Sequence, residues 1–306
     1  MIQSTSNIFL VRPANFGFNA ETAVSNAFQN KTELSQDDLK QRVIAEFDAF
    51  AEHLKLKGIN VMVVQDTDEP KKPDAIFPNN WGSFHANGKA ILYPMATPNR
   101  QAEKRPEILN QIKEQFEISE LIDLSEYEKQ HKFLEGTGSI IFDHINKLAY
   151  ACISPRTDKD VLNELCNKIG YKPIAFTSTD KNGQEIYHTN VMMCVSEKFS
   201  VICLESIIDE EEKKLVINSL ESTGHEIIDI SLDQVNHFAG NMLSLKNKDQ
   251  KEILVMSQSA YNILSDYQKL ALDTYCEPCP IPIDTIETIG GGSARCMISE
   301  IFLPQK

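Results

Sequence analysis

Apolar residues recur at helical spacing over Leu39–Lys57, Arg105–Phe116, Asp158–Ile169, Asp209–Thr223 and Ser259–Tyr275, which predicts five amphipathic helices. Pro106 suits an opening turn, and Glu210 to Lys214 is an i,i+4 pair of favourable polarity. Short apolar runs predict strands at Asn60–Val64, Ala90–Tyr93, Lys147–Ile153, Phe199–Cys203, Glu226–Asp229 and Glu252–Met256. Turn signals at Gly88, Lys181-Asn-Gly and Gly290-Gly-Gly separate them.

Five further segments share one character, a polar or glycine turn followed by an apolar β run. They are Phe77-Pro-Asn-Asn-Trp-Gly-Ser-Phe, Leu134-Glu-Gly-Thr-Gly-Ser-Ile-Ile-Phe, His188-Thr-Asn-Val-Met-Met-Cys-Val, Phe238-Ala-Gly-Asn-Met-Leu-Ser-Leu and Ala294-Arg-Cys-Met-Ile-Ser-Glu-Ile-Phe. Anchored at Asn80, Gly138, Asn190, Asn241 and Cys296, they stand 58, 52, 51 and 55 residues apart. This predicts a repeated unit of about 55 residues with one helix and three short strands. No Pro- or Ser-rich linker interrupts the series, so residues 1–306 are expected to form a single, radially repeated α/β domain. In such a ring the equivalent turns converge on the axis. Residues about 50 apart then share one pocket.

Composition narrows the function. The 306 residues are 42% hydrophobic and 24% charged, an ordinary globular balance. Net charge is 30 − 44 = −14, which disfavours nucleic acid and anionic membranes as partners. No apolar run approaches the ~18–20 residues needed to span a bilayer. The N-terminus is expected to lead into a strand and lacks the pattern of a signal peptide. Seven cysteines, an odd count, suit reduced thiols in a cytoplasm. Cys276-Glu-Pro-Cys279 has the spacing of a metal knuckle, but no second pair completes it, so no metal and no cofactor are expected.

The converging turns place Asn79, Asn80, Glu135, His188, Asn190, Asn241 and Cys296 in one candidate site. Three glycines precede Cys296 and let the backbone approach a ligand. Arg295 adjoins the thiol, and neighbouring positive charge favours thiolate. His188 is the best-placed base, and Glu135 can orient it. His237 and His85 can line the pocket or pack. His53, His131, His144 and His225 read as surface or turn residues, and Trp81 and Phe84 as core.

The ordered set Phe77-Pro-Asn-Asn-Trp, Leu134-Glu-Gly-Thr-Gly, His188-Thr-Asn and Gly-Gly-Gly-Ser-Ala-Arg-Cys296-Met resembles the amidinotransferase and arginine deiminase superfamily. These are the pentein enzymes, five-bladed pseudo-symmetric α/β propellers. The resemblance spans nearly the whole chain and is closest to the branch called the citrulline-utilisation hydrolase. It implies Cys296 as the nucleophile, His188 as general acid/base and Glu135 as the carboxylate of the same group. It implies Arg156 as the residue that binds the substrate α-carboxylate. Arg100 and Arg105 match an arginine-bearing stretch that faces substrate in relatives. Asn79, Asn80, Asn190, Asn241 and Arg295 complete the expected substrate-binding set.

The departures bear on the substrate. Deiminases usually carry Asp where Asn80 and Asn190 stand, and those carboxylates neutralise a guanidinium. Two neutral amides suit a ureido group, so citrulline is expected, with hydrolysis to ornithine through a covalent Cys adduct. Asp74 or Asp143 could restore a carboxylate from elsewhere. A neutral substrate brings no charge to activate the thiol, which predicts a preformed Cys296 thiolate paired with protonated His188. The alternatives are an arginine-type deiminase, an amidinotransferase, and a non-catalytic propeller scaffold. The expected partner is a small amino-acid substrate, and a homodimer is compatible with the sequence.

Overall fold

The computed structural model describes residues 2–26 and 28–306. Fifteen strands lie among them, in five three-stranded sheets. Strands β1 (Asn7–Arg12) and β2 (Asn60–Gln65) flank a helix at Gln36–Leu56. The next sheet holds β3 (Gly82–Phe84), β4 (Lys89–Leu92) and β5 (Glu120–Asp123). It is followed by one of β6 (Ile141–Asp143), β7 (Leu148–Cys152) and β8 (Lys172–Phe176). Then come β9 (Met193–Val195), β10 (Phe199–Ile202) and β11 (Glu226–Asp229), and after them β12 (Leu243–Lys246), β13 (Glu252–Ser257) and β14 (Glu277–Ile281). Strand β15 (Ser299–Glu300) returns to pair antiparallel with β1, Ile8 opposite Glu300, while β1 runs parallel to β2. The two ends of the chain thus share one sheet and close the ring.

Each unit repeats one connection. An inner strand pairs antiparallel with a middle strand. A helix then crosses back to an outer strand that runs parallel to the middle one. A parallel pair requires such a crossover. The inner strands β3, β6 and β9 are buried along their whole length. The helices bury one stripe each. In Gln36–Leu56 it is Leu39, Val43, Phe47, Phe50 and Leu54. That helix starts three residues before the expected Leu39 because the Ser35 hydroxyl accepts from the Asp38 N–H and caps it.

The predicted helix Ser259–Tyr275 is two helices, Gln258–Ile263 and Asp266–Tyr275. Ser265 forms a capping box with Gln268 and starts a new helix there. The outer strands β5, β8 and β14 had no sequence signal. Strand β5 buries only Ile122, and β14 carries Pro278 and Pro280, which an edge strand tolerates. Trp81 and Phe84 are core, against Phe9. His144 and His225 are buried, against expectation. The first bonds Tyr171 Oη, and the second bonds Thr223 Oγ1 and the Ser196 carbonyl. No helix among the described residues is long and apolar enough to cross a membrane.

Candidate active site

The anchor turns immediately precede the inner strands, and this fixes where their side chains go. Glu135 and His188 are the residues before the helical turns Gly136–Ser139 and Thr189–Met192, which run into β6 and β9. Asn80 ends the turn Pro78–Asn80 before β3. Cys296 follows the turn at Ser293, whose carbonyl accepts its N–H. The turns pack closely. Gly136 has φ +49°, and a Cβ there would lie 2.4 Å from the Asn79 carbonyl oxygen, so only glycine fits.

The turns surround a narrow cleft lined by Asp74, Asn80, Arg100, Arg156, Tyr187, His188, Gly290–Gly292 and Cys296 among others. Cys296 Sγ is approached by two amide nitrogens, Asn190 Nδ2 and Asn241 Nδ2, each at 3.3 Å. His188 Nε2 lies 2.8 Å from Glu135 Oε2. A carboxylate cannot donate, so Nε2 carries the proton and Nδ1 keeps a free lone pair. Glu135 Oε2 also faces Arg156 Nη1 at 3.5 Å and Arg100 Nη1 at 3.9 Å, and Oε1 accepts the Ala96 N–H at 2.9 Å.

Burial disfavours charge on Glu135, but Arg156, His188 and Arg100 outweigh it and hold its carboxyl well below the usual range. Burial lowers His188 to about 4, with Glu135 opposing and Arg156 and Arg100 assisting. The imidazole is therefore neutral near pH 7. The expected protonated His188 is not what this environment gives, because burial outweighs the Glu135 carboxylate and Arg156 and Arg100 add to it.

Arg100 is held bidentately by Glu103, Nε–Oε1 at 3.0 Å and Nη2–Oε2 at 3.1 Å, and donates from Nη1 to Asn80 Oδ1 at 2.7 Å. Burial raises Glu103 to about 7, although Arg100 pulls the other way. Arg156 reaches back to Ser25 Oγ and the Thr22 carbonyl, and its guanidinium lies 4.8 Å from the Tyr187 ring centroid.

The site thus gathers Cys296, His188, Glu135, Asn80, Arg156 and Arg100. Asn190 and Asn241 reach the sulfur from behind and do not line the cleft. Asn79 is fully buried in the wall, with neither amide atom hydrogen-bonded. Arg295 points away. Its guanidinium bonds the Ile298 carbonyl and Glu300, and it lines a different cavity beside Ser244 and Gln3. Arg105 donates to the Gln65 carbonyl outside the cleft. Asp143 is engaged with Asn146, whereas Asp74 does enter the site.

Asp74 Oδ2 accepts from Asn19 Nδ2 and Thr22 Oγ1, and Oδ1 is buried with no partner. The contribution of residues 19–26 had no signal in the sequence, since no periodicity marks that segment. Glu103 did have one, as the i,i+3 partner of Arg100.

The chain matches solved structures along nearly its whole length. Against ArgZ, an arginine dihydrolase from the ornithine-ammonia cycle in cyanobacteria, the TM-score is 0.75 at 17% identity, over 97% of this chain. The chain spans 41% of the length of that protein. Against the N-terminal domain of ArgZ covalently bound to a reaction intermediate, the TM-score is 0.74 at 18% identity, covering 97% of this chain and 99% of that one. Against the DDAH of Pseudomonas aeruginosa complexed with citrulline, the TM-score is 0.66 at 13% identity, over 98% and 99%. These likenesses establish the fold as the five-bladed α/β propeller of the penteins. No curated protein matches the sequence. The family described as N,N dimethylarginine dimethylhydrolase, eukaryotic, matches residues 12–303, and the chain belongs to that family of hydrolases acting on non-peptide C–N bonds.

Proposed function

We propose that the protein is a cysteine-dependent hydrolase that cleaves the ureido C–N bond of citrulline, giving ornithine, ammonia and carbon dioxide. The observation that carries this reading is the polarity around the thiol. The amide that lines the cleft beside Cys296 is Asn80, and the Glu135 carboxylate is already committed to Arg156 and His188. A guanidinium placed there would lack a countercharge, and an unpaired buried ion is costly by several kcal/mol. A ureido group is neutral, and amides satisfy it as donors and acceptors.

The amino-acid end has its own partners. Thr22 bridges Asp74 and Arg156, accepting from Arg156 Nη2 at 2.9 Å and donating to Asp74 Oδ2 at 3.1 Å. An anion-binding and a cation-binding side chain therefore stand together, which suits the zwitterion of an α-amino acid. Asp74 Oδ1 is the free acceptor for the ammonium.

In the reaction, neutral His188 takes the thiol proton at Nδ1 while Sγ bonds the ureido carbon. The C–Nδ bond breaks, His188 returns the proton to the departing ornithine amine, and an S-carbamoyl enzyme remains. Water, deprotonated by His188, attacks that carbon and the C–S bond breaks. The carbamate then decomposes to ammonia and carbon dioxide.

A second reading has support of its own. The family is one of dimethylarginine hydrolases, and the free Asp74 oxygen can face a guanidinium instead. The test is a panel of citrulline, arginine and dimethylarginine, assayed for ornithine, citrulline, ammonia and dimethylamine. Citrulline should have the highest kcat/KM. Faster turnover of arginine or dimethylarginine refutes the ureido reading and leaves the guanidino one.

A further inference from the structure

The Asn241 side chain can be oriented from its own contacts. Its Oδ1 accepts the Arg295 N–H at 3.0 Å, and its Nδ2 donates to the Asn190 carbonyl at 2.8 Å. Turning the amide over would set NH2 against N–H and oxygen against oxygen, so both contacts reject the flipped form. An amide nitrogen has two hydrogens. One is taken by the Asn190 carbonyl, and the other is left for Cys296 Sγ at 3.3 Å. The Asn190 amide also faces the sulfur, but its Oδ1 has no partner, so nothing fixes its orientation.

We infer that Asn241 is a catalytic residue that holds a preset N–H donor on the sulfur of Cys296, and that Arg295 positions it through its backbone N–H. This rests on Cys296 being the nucleophile, not on which substrate it attacks. A donor fixed on sulfur stabilises negative charge there twice. It does so when the thiol proton passes to His188, and again when water expels sulfur from the covalent adduct. The donor is already in place before substrate arrives, because its second hydrogen and its oxygen are both tied to backbone. It also explains why the Arg295 side chain can point to Glu300 without loss to the site. In the thiol form, the S–H can donate to Asn241 Oδ1, 3.7 Å away. The same amide therefore serves both states of the sulfur.

The test uses the intact protein and reads alkylation of Cys296 by iodoacetamide at pH 7, located by peptide mass spectrometry, with Cys296→Ser as the blank. In Asn241→Leu, the alkylation rate constant should fall roughly 10- to 100-fold, the range for a hydrogen bond to a charged group. With whichever panel compound the protein turns over, kcat should fall by a similar factor while KM stays within about twofold. Asn241→Asp keeps the size and the Arg295 contact, so it serves if Asn241→Leu does not fold. It replaces the donor with a carboxylate oxygen, and alkylation should slow at least as much. Unchanged alkylation in Asn241→Asp, or a rise in KM with kcat preserved, overturns the assignment. If citrulline is not the substrate, the alkylation result still decides the role of Asn241.

Discussion

Gly138→Ala should nearly abolish turnover while leaving the protein folded. Gly138 lies in the helical turn Gly136–Ser139 and has no positive φ, so an alanine backbone is unstrained there. What the methyl meets is the site. Its carbon would stand 2.2 Å from Asn80 Nδ2, 2.8 Å from His188 Nδ1 and 2.9 Å from His188 Cε1. Ordinary contact begins near 3.4 Å, so the Asn80 amide must retreat by about 1.2 Å and the imidazole by about 0.6 Å. Neither moves freely. Asn80 Oδ1 is held by Arg100, and His188 Nε2 is held by Glu135. Overpacking of this kind typically destabilises by about 1–3 kcal/mol, a Tm fall of roughly 2–12 °C for a chain of this size. Misplacing a catalytic base by most of an ångström costs about 100-fold in rate. The assay is kcat/KM beside a thermal melt, with Gly17→Ala as control, since a Cβ at Gly17 has nothing within 4 Å. Activity within threefold of wild type in folded Gly138→Ala would mean that the Nδ1 side of His188 is not the working face.

Cys296→Ser should fold with an unchanged Tm and lose turnover by several orders of magnitude, and full activity in it would remove the nucleophile. Arg156→Gln should raise KM at least tenfold and lower Tm, because Glu135 loses its leading countercharge; saturation kinetics and a melt check both. Asn80→Asp should shift the kcat/KM ratio from citrulline toward arginine, and an unchanged ratio contradicts the amide argument. Stability should fall on acidification. Burial holds His85 and His188 near 4 against 6.5 unfolded, so the unfolded chain binds more protons across that window, and each contribution, on the order of 3 kcal/mol, is lost as pH drops from 6.5 to 4. Glu103 acts oppositely. Raised from 4.5 to about 7, it keeps its proton in the fold, so its ionisation removes stability as pH rises through that range. Urea midpoints from pH 4.5 to 7.5 should rise with pH, more steeply in Glu103→Gln, and a fall in wild type would contradict the buried neutral imidazoles.

The five-fold repeat was legible because each unit marks its inner turn with a glycine or amide and then runs apolar. Asn80, Gly138, Asn190, Asn241 and Cys296 all stand just ahead of an inner strand, β3, β6, β9, β12 and β15. Of the outer strands, β2 and β11 were legible and β5, β8 and β14 were not; Pro173 interrupts β8, and Pro278 and Pro280 interrupt β14. The site divides in the same way. Cys296, His188 and Glu135 are brought together, but adjacent residues in the same turns go opposite ways. Asn80 faces the cleft while Asn79 is walled in, and Cys296 faces it while Arg295 runs to Glu300. Spacing along the chain cannot separate two neighbours in a turn; only the packing of the next unit does. Thr22 and Ser25 were hidden for a different reason, and Asp74 could not be told from Asp143, since these residues come from irregular segments placed by contacts more than 50 residues away in sequence. The inner turns are buried, so their polar groups must pair with one another. Many do: Asn241, Arg295, Asn190, Ser139 and Thr189 exchange backbone and side-chain bonds around the axis. Among the exceptions are both amide atoms of Asn79 in the wall, Asn190 Oδ1 beside the sulfur and Asp74 Oδ1, and of these residues only Asp74 lines the cleft. An acid oxygen left unmatched on a residue that lines the cleft with the cysteine leaves room for a ligand that brings the matching N–H group.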